Sequence, residues 1–236
     1  MSRVPGRLTS WLTLILVMLL TIGSVALSVS TAPTDKAGTS GVPFSQPNGG
    51  AAPLTHSNLS SMLLDEGDLG VGVQSVSPVP AATGGANGEP PCLAKARHHT
   101  GLSRASDEVT FTSGEQLVEG LDAYSSTKTA HRVLEREVLI LGGCHRFNTT
   151  VDGQTLSGSI SPGLPHVQGH GSELKAYRFD ISQGGGTVGL DLVLARKGVV
   201  DVEILLGPIA DNSQVAGRIT TKALAKIGAP VRVSLT

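Results

Sequence analysis

The chain has 236 residues, with 18 Lys and Arg against 19 Asp and Glu, and a formal charge of −1. Its basic residues are scattered, without a stripe or interleaved aromatics, so the counter-ion release that drives nucleic-acid binding has no source and no nucleic-acid partner is expected. One Trp, two Tyr and four Phe leave any core to be built chiefly from Val, Leu, Ile and Ala.

Arg3 and Arg7 precede an uncharged apolar run from Trp11 to Val29. A helix rising roughly 1.5 Å per residue over that run crosses a hydrocarbon core of about 30 Å, and the basic flank should stay in the cytosol. Residues 1–10 are therefore expected to be cytosolic, 11–29 to be a transmembrane signal-anchor or a signal peptide, and the remainder to be extracytoplasmic. Ser24-Val25-Ala26 and Ala26-Leu27-Ser28 both offer small residues to a signal peptidase. Apolar character continuing to Val29, with no charge before Asp35, favours an uncleaved single-pass anchor in the cell membrane, and a secreted protein is the alternative. No cysteine follows the apolar core, which excludes a bacterial lipoprotein.

Residues 30–53 alternate Pro33, Pro43, Pro47 and Pro53 with Gly38, Gly41, Gly49 and Gly50 among Ser, Thr and Ala. Such a stretch has too little apolar surface to offset chain entropy and reads as a disordered linker. Residues 54–236 then fit one globular domain. Thr55 is expected to cap a short helix through Leu64, with Leu59, Met62 and Leu63 on one side. Val71, Val73 and Val79 suggest a strand. A Gly/Pro loop, Ala81 to Pro91, leads to Cys92 and a short helical turn, Leu93 to His98, before strands near Glu108–Ser113 and Gln116–Tyr124. Thr127 is expected to cap the central helix, where Ala130, Val133, Leu134, Val138 and Leu141 recur at spacings of three and four, and Gly142-Gly143 should stop it just before Cys144. Four strands should follow, Arg146–Val151, Leu174–Ile181, Val188–Ala195 and Val199–Leu206, the last two joined by a hairpin at Arg196-Lys197-Gly198. A final helix from Asp211 or Asn212 to Ile227 carries Val215, Ile219, Ala223 and Ile227 on one stripe. This order predicts an α+β domain, an antiparallel sheet packed against two or three helices.

Cys92 and Cys144 are the only cysteines and lie in an oxidising space, where a disulfide between them would close a long loop. The alternative is Cys144 as a nucleophile with adjacent His145 as base, although sequence neighbours rarely face each other. His166 and His170 are four apart, with His98, His99 and His145 elsewhere. Pro162, Pro165, Gly169 and Gly171 make their segment a loop, so no metal site is expected. Hydrolase, zinc-protease and phosphate-loop motifs are absent, Gly184-Gly185-Gly186 reads as a turn, and the pairs Asp107-Glu108 and Asp65-Glu66 read as solvated surface. Neither an enzyme nor a cofactor is expected.

A helix opening Leu54-Thr55, a cysteine after a Gly/Pro loop, and Tyr124-Ser125-Ser126 leading a helix to Cys144 form one group of features. Gly171-Ser172-Glu173-Leu174-Lys175-Ala176-Tyr177-Arg178, a hairpin and a last helix complete them. In this layout residues 54–227 resemble the PknH-like extracellular sensor domain of mycobacteria and other actinobacteria. The chain departs from that family in having no cysteine between Gly189 and Leu206, Gly142-Gly143 where an aromatic is common, and no kinase domain. The resemblance implies a membrane-anchored, non-catalytic domain that binds an envelope ligand, a lipid or a glycan, in a cleft between sheet and helices. Small residues around Gly184–Gly189 are expected to leave room for it. A structural or scaffold role through contacts with another envelope protein is the alternative.

Overall fold

The computed structural model describes residues 54–79, 101–151, 154–164, 167, 173–183, 186–208 and 213–227. The expected span 11–29, the linker 30–53, the turn Leu93–His98, and residues Cys92, His98, His99, His166 and His170 lie outside the described residues. Among the described residues no helix is long and apolar enough to cross a membrane.

Two short helices, α1 (His56–Ser60) and α2 (Glu66–Leu69), lead into β1 (Val73–Pro78), β2 (Ser103–Phe111) and β3 (Gln116–Ala123). The long helix α3 (Thr127–Gly143) follows, then β4 (Arg146–Val151), β5 (Gln154–Pro162), β6 (Glu173–Gln183), β7 (Gly186–Lys197), β8 (Val200–Gly207) and α4 (Ser213–Lys226). All eight strands form one sheet in the order β1-β2-β3-β8-β7-β6-β5-β4, and every neighbouring pair is antiparallel. Helix α3 carries the chain from the centre of the sheet to its far edge. The meander β4 to β8 then walks back until β8 closes onto β3.

Side chains alternate across each strand, so the sheet has two buried faces. On one, α3 buries Leu134 and Leu141 against Val118, Phe179, Leu190, Leu192, Leu194 and Leu205. On the other, Leu59 of α1 and Met62, Leu63 and Leu64 after it, with Ala216, Ile219 and Ala223 of α4 and Ile227 just beyond it, cover Leu117, Leu121, Val193, Val202 and Ile204. Each fully buried Leu contributes roughly 1.5–3 kcal/mol relative to exposure. Within Leu54–Ile227 each face of the sheet is covered by helical residues of the same stretch. Lys226 of α4 bonds Asp65, at 2.9 Å, and Asp68, pinning α2 against the last helix.

The α+β class and the antiparallel sheet are as expected, with four helices among the described residues where two or three were expected. Helix α1 stops at Ser60, and Asp65 caps a separate helix, α2, because its carboxylate accepts the Asp68 N–H at 3.0 Å. Val71 is fully exposed and β1 starts only at Val73. Ser126, not Thr127, caps α3, accepting the Thr129 N–H at 3.1 Å, and the helix runs through both glycines to Cys144 at its C-cap. Strand β2 begins at Ser103, ahead of the expected Glu108. Strand β5 was not expected at all. Its Leu156 and Ile160 face the α3 core with Gly158 between them, and the Phe147 ring of β4 occupies the space that a side chain at 158 would fill. The β7–β8 hairpin turns at Gly198, whose φ of +66° suits glycine.

Candidate ligand groove and buried charge row

Five adjacent strands each place one charged residue at the same level on the face covered by α3. In spatial order these are Arg104 of β2, Asp122 of β3, Asp201 of β8, Arg196 of β7 and Glu173 of β6. Glu203 stands two residues along β8 from Asp201, opposite Gly120. Arg104 serves two strands at once, with Nη1 3.5 Å from Asp122 Oδ2 and Nη2 3.6 Å from Glu203 Oε2. Gly120 makes that reach possible, since a Cβ there would stand 3.3 Å from Arg104 Nη2. At the other end Arg196 Nε donates to Glu173 Oε2 at 2.8 Å, and Arg196 Nη1 donates to the Gly198 carbonyl at 2.8 Å. His131 of α3 lies 2.8 Å from Glu173 Oε1 and 3.3 Å from Glu135 Oε1.

Two arginines thus meet four sheet carboxyls, and α3 adds a fifth, Glu137, to the same electrostatic neighbourhood. Removing so many acids from water favours their neutral forms. Burial, reinforced by Asp122 and opposed by Arg196, pushes Asp201 up to about 8. Burial pushes Glu203 up to about 7 against the pull of Arg104. Asp122 is raised because burial outweighs Arg104. Glu137 is raised well above the usual carboxylate range by burial and by its acidic neighbours Glu203, Asp201 and Asp122. Glu173, at the open end, goes the other way: hydrogen bonds from Arg196 and His131 hold it down at about 2. Neither carboxyl oxygen of Asp201 has a hydrogen-bond partner among the described residues.

Beside the Glu173 end of the row lies an open groove of about 1070 Å³ between the flank of α3 and the first residues of β6. Leu134, Val138, Leu139, Ile140 and Leu174 supply apolar surface, and Arg132, Arg136 and Lys175 supply cations. Leu139 is 77% exposed, and all three cations are exposed. None of the three makes an ion pair among the described residues. The wall acids are occupied: Glu173 by Arg196 and His131, Glu135 by His131.

The opposite face hides two further acids. Glu119 is 1% exposed, accepts the Leu64 N–H at 2.7 Å through Oε2, and is pushed up to about 7 by burial. Asp191 is wholly buried and takes Arg178 Nη1 at 2.7 Å. The guanidinium of Arg178 fills the space in which a Cβ at Gly189 would sit. The room expected near Gly189 is therefore taken by a side chain.

Cys144 is 1% exposed within the α3 core, whereas His145 is exposed. The two consecutive residues point apart, and the nucleophile-and-base pairing is not assembled. Among the described residues no group of three or more His, Cys, Asp or Glu is arranged to hold a metal. Asp107 and Glu108, read as solvated, are half-buried on opposite faces of β2 and both raised by burial. The charge row was missed, although Val200–Leu206 is an apolar run broken only by Asp201 and Glu203, two residues apart and hence on one face.

No protein-family model matches this chain and no curated protein does. Solved structures do. The extracellular domain of PknH from Mycobacterium tuberculosis is similar at 13% identity and a TM-score of 0.55, covering 75% of this chain and 98% of that one. A putative uncharacterised protein, the Rv0999 ortholog of Mycobacterium smegmatis, gives 13% identity and a TM-score of 0.35, covering 53% of this chain and 64% of that one. The first likeness establishes a shared fold, as the resemblance in the sequence implied. The second is too distant to carry an argument.

Proposed function

We propose that this chain is an extracytoplasmic, sensor-type domain of the PknH-like kind, non-catalytic, that binds an envelope ligand in the groove between α3 and β6. The groove carries the reading. Its apolar floor is open to solvent next to exposed Leu139, which a domain with no occupant for it would tend to cover. The shared fold with a domain described as extracellular supports the location. In this reading residues 11–29 hold the domain at the cell membrane, residues 30–53 space it from the bilayer, and Cys92 pairs with Cys144 to tie the segment before β2 to the end of α3.

A thermal-shift panel of envelope lipids and glycans on residues 54–236 tests it, because a ligand that prefers the folded state raises the melting temperature. A rise abolished by Leu139→Asp is expected. Silence across the panel, together with one stoichiometric protein recovered by cross-linking in cells, would replace ligand binding with the scaffold role.

A further inference from the structure

We infer that the groove takes one anionic amphiphile, a single molecule with an aliphatic chain and an acidic head group. This rests on the groove being the ligand site and goes further by fixing the ligand's charge and shape. Leu134, Val138, Leu139, Ile140 and Leu174 are all aliphatic. No Phe, Tyr or Trp lines the groove for a sugar ring to stack on, whereas a methylene chain is matched by its aliphatic floor.

The charges select the head group. Arg132 and Arg136 stand one turn apart on α3, and Lys175 faces the same space from β6. All three lack an acidic partner among the described residues, Arg196 balances Glu173, and Glu135, beside His131, is the one carboxylate in the groove without a cation on it, so three cations stand against one uncompensated acid. The field over the apolar floor is therefore positive. A cationic amphiphile would meet three like charges, and a neutral one would gain nothing from them. Arginine adds a fork that matches a carboxylate or phosphate in two hydrogen bonds. At about 1070 Å³ the space stands at the upper end of the roughly 300–1,000 Å³ usual for small-molecule sites, which suits one long molecule.

The test is calorimetric titration of residues 54–236 with n-alkyl carboxylates of increasing length below their aggregation concentrations, with matched alcohols and alkyltrimethylammonium ions. Affinity for the carboxylates should rise about ten-fold per two methylenes until the groove is filled. The alcohol of equal length should bind at least about ten-fold more weakly, and the ammonium ion not measurably. Arg136→Gln and Lys175→Gln should each weaken the carboxylate several-fold and leave the alcohol unchanged. Both side chains are exposed, so an unchanged melting temperature separates this from misfolding. Leu139→Asp should weaken every ligand. Equal affinity for carboxylate and alcohol would overturn the inference about charge and leave the groove as a ligand site. No binding by any chain length would overturn both. Binding to phosphatidylglycerol vesicles without binding to monomeric carboxylates would replace the single bound molecule with a membrane surface.

Discussion

Replacing Asp201 by Asn keeps the shape of the side chain and removes its titration. In the folded chain Asp201 holds its proton up to about 8, whereas an unfolded chain releases it at the ordinary value of 3.8. Between those limits the folded state binds more protons than the unfolded one, so the contribution of this group to stability falls as pH rises from about 4 to about 8. At pH 7 the interval above 3.8 corresponds, at 1.36 kcal/mol per unit, to about 4 kcal/mol. Asp122 and Arg196, its neighbours in the row, share that energy, so the expected gain for Asp201→Asn at pH 7 is about 2 kcal/mol. The two proteins should be equally stable near pH 4. Urea unfolding of residues 54–236 from about pH 4.5 to about pH 8, with m-values compared to exclude a change in the unfolded state, measures this directly. Glu203 and Glu119, both at about 7, titrate in wild type and variant alike, so both curves fall and their difference reports Asp201 together with its coupling to Asp122 and Glu137. A difference that is flat with pH, or an Asn variant that is less stable at pH 8, would refute the burial of this carboxyl in its neutral form.

Glu119→Gln should match wild type near pH 4 and gain on it as pH rises through about 7, because the folded carboxyl holds its proton up to about 7 whereas the unfolded one releases it at 4.5. Glu119→Leu, which strands the Leu64 N–H, should be less stable than Glu119→Gln by about 1–3 kcal/mol at every pH, and chemical denaturation of the two variants measures it. Arg178→Met leaves Asp191 buried without its 2.7 Å partner and should cost roughly 3–5 kcal/mol at neutral pH; a denaturation midpoint unmoved from wild type would contradict that. For the cysteines, peptide mapping without reductant should recover Cys92 and Cys144 in one linked species, and reduction should destabilise by about 4 kcal/mol for a loop of roughly 52 residues. Alkylation of both thiols in unreduced protein would end that assignment.

Helices α3 and α4 were legible because their cores are periodic. Ala130, Leu134 and Leu141, and Ile219, Ala223 and Ile227, lie at helical spacings, and all six are buried. Strands β7 and β8 were legible for a similar reason, since two-sided burial makes their sequences almost continuously apolar, and β6 was legible from Tyr177, Phe179 and Ile181 alternating with Arg178 and Asp180. Strand β5 failed that test. Leu156 and Ile160 are separated by a glycine whose missing side chain is supplied by Phe147, a contact between chains of residues that composition does not reveal. Strand β2 failed because Arg104, Ser106 and Glu108 read as solvent-facing, whereas α3 covers that face at its Arg104 end.

The charge row could not be seen for a related reason. Its members, at positions 104, 122, 173, 196 and 201, lie on five different strands, and only the register makes them neighbours. A one-residue slip of β8 would turn Asp201 and Glu203 to the other face and place Val202 and Ile204 among charges. The row therefore acts against misregister as much as it burdens stability. Each of Arg104 and Arg196 can meet its acids only when the strands are aligned as found, and Gly120 keeps the space for Arg104 open. Because the same row ends at Glu173 and His131, which form a wall of the groove, the alignment that satisfies the buried charges also fixes the groove's edge. That is why the groove, built partly from a helix and partly from the first residues of a strand more than thirty positions later, needed the fold before it could be recognised.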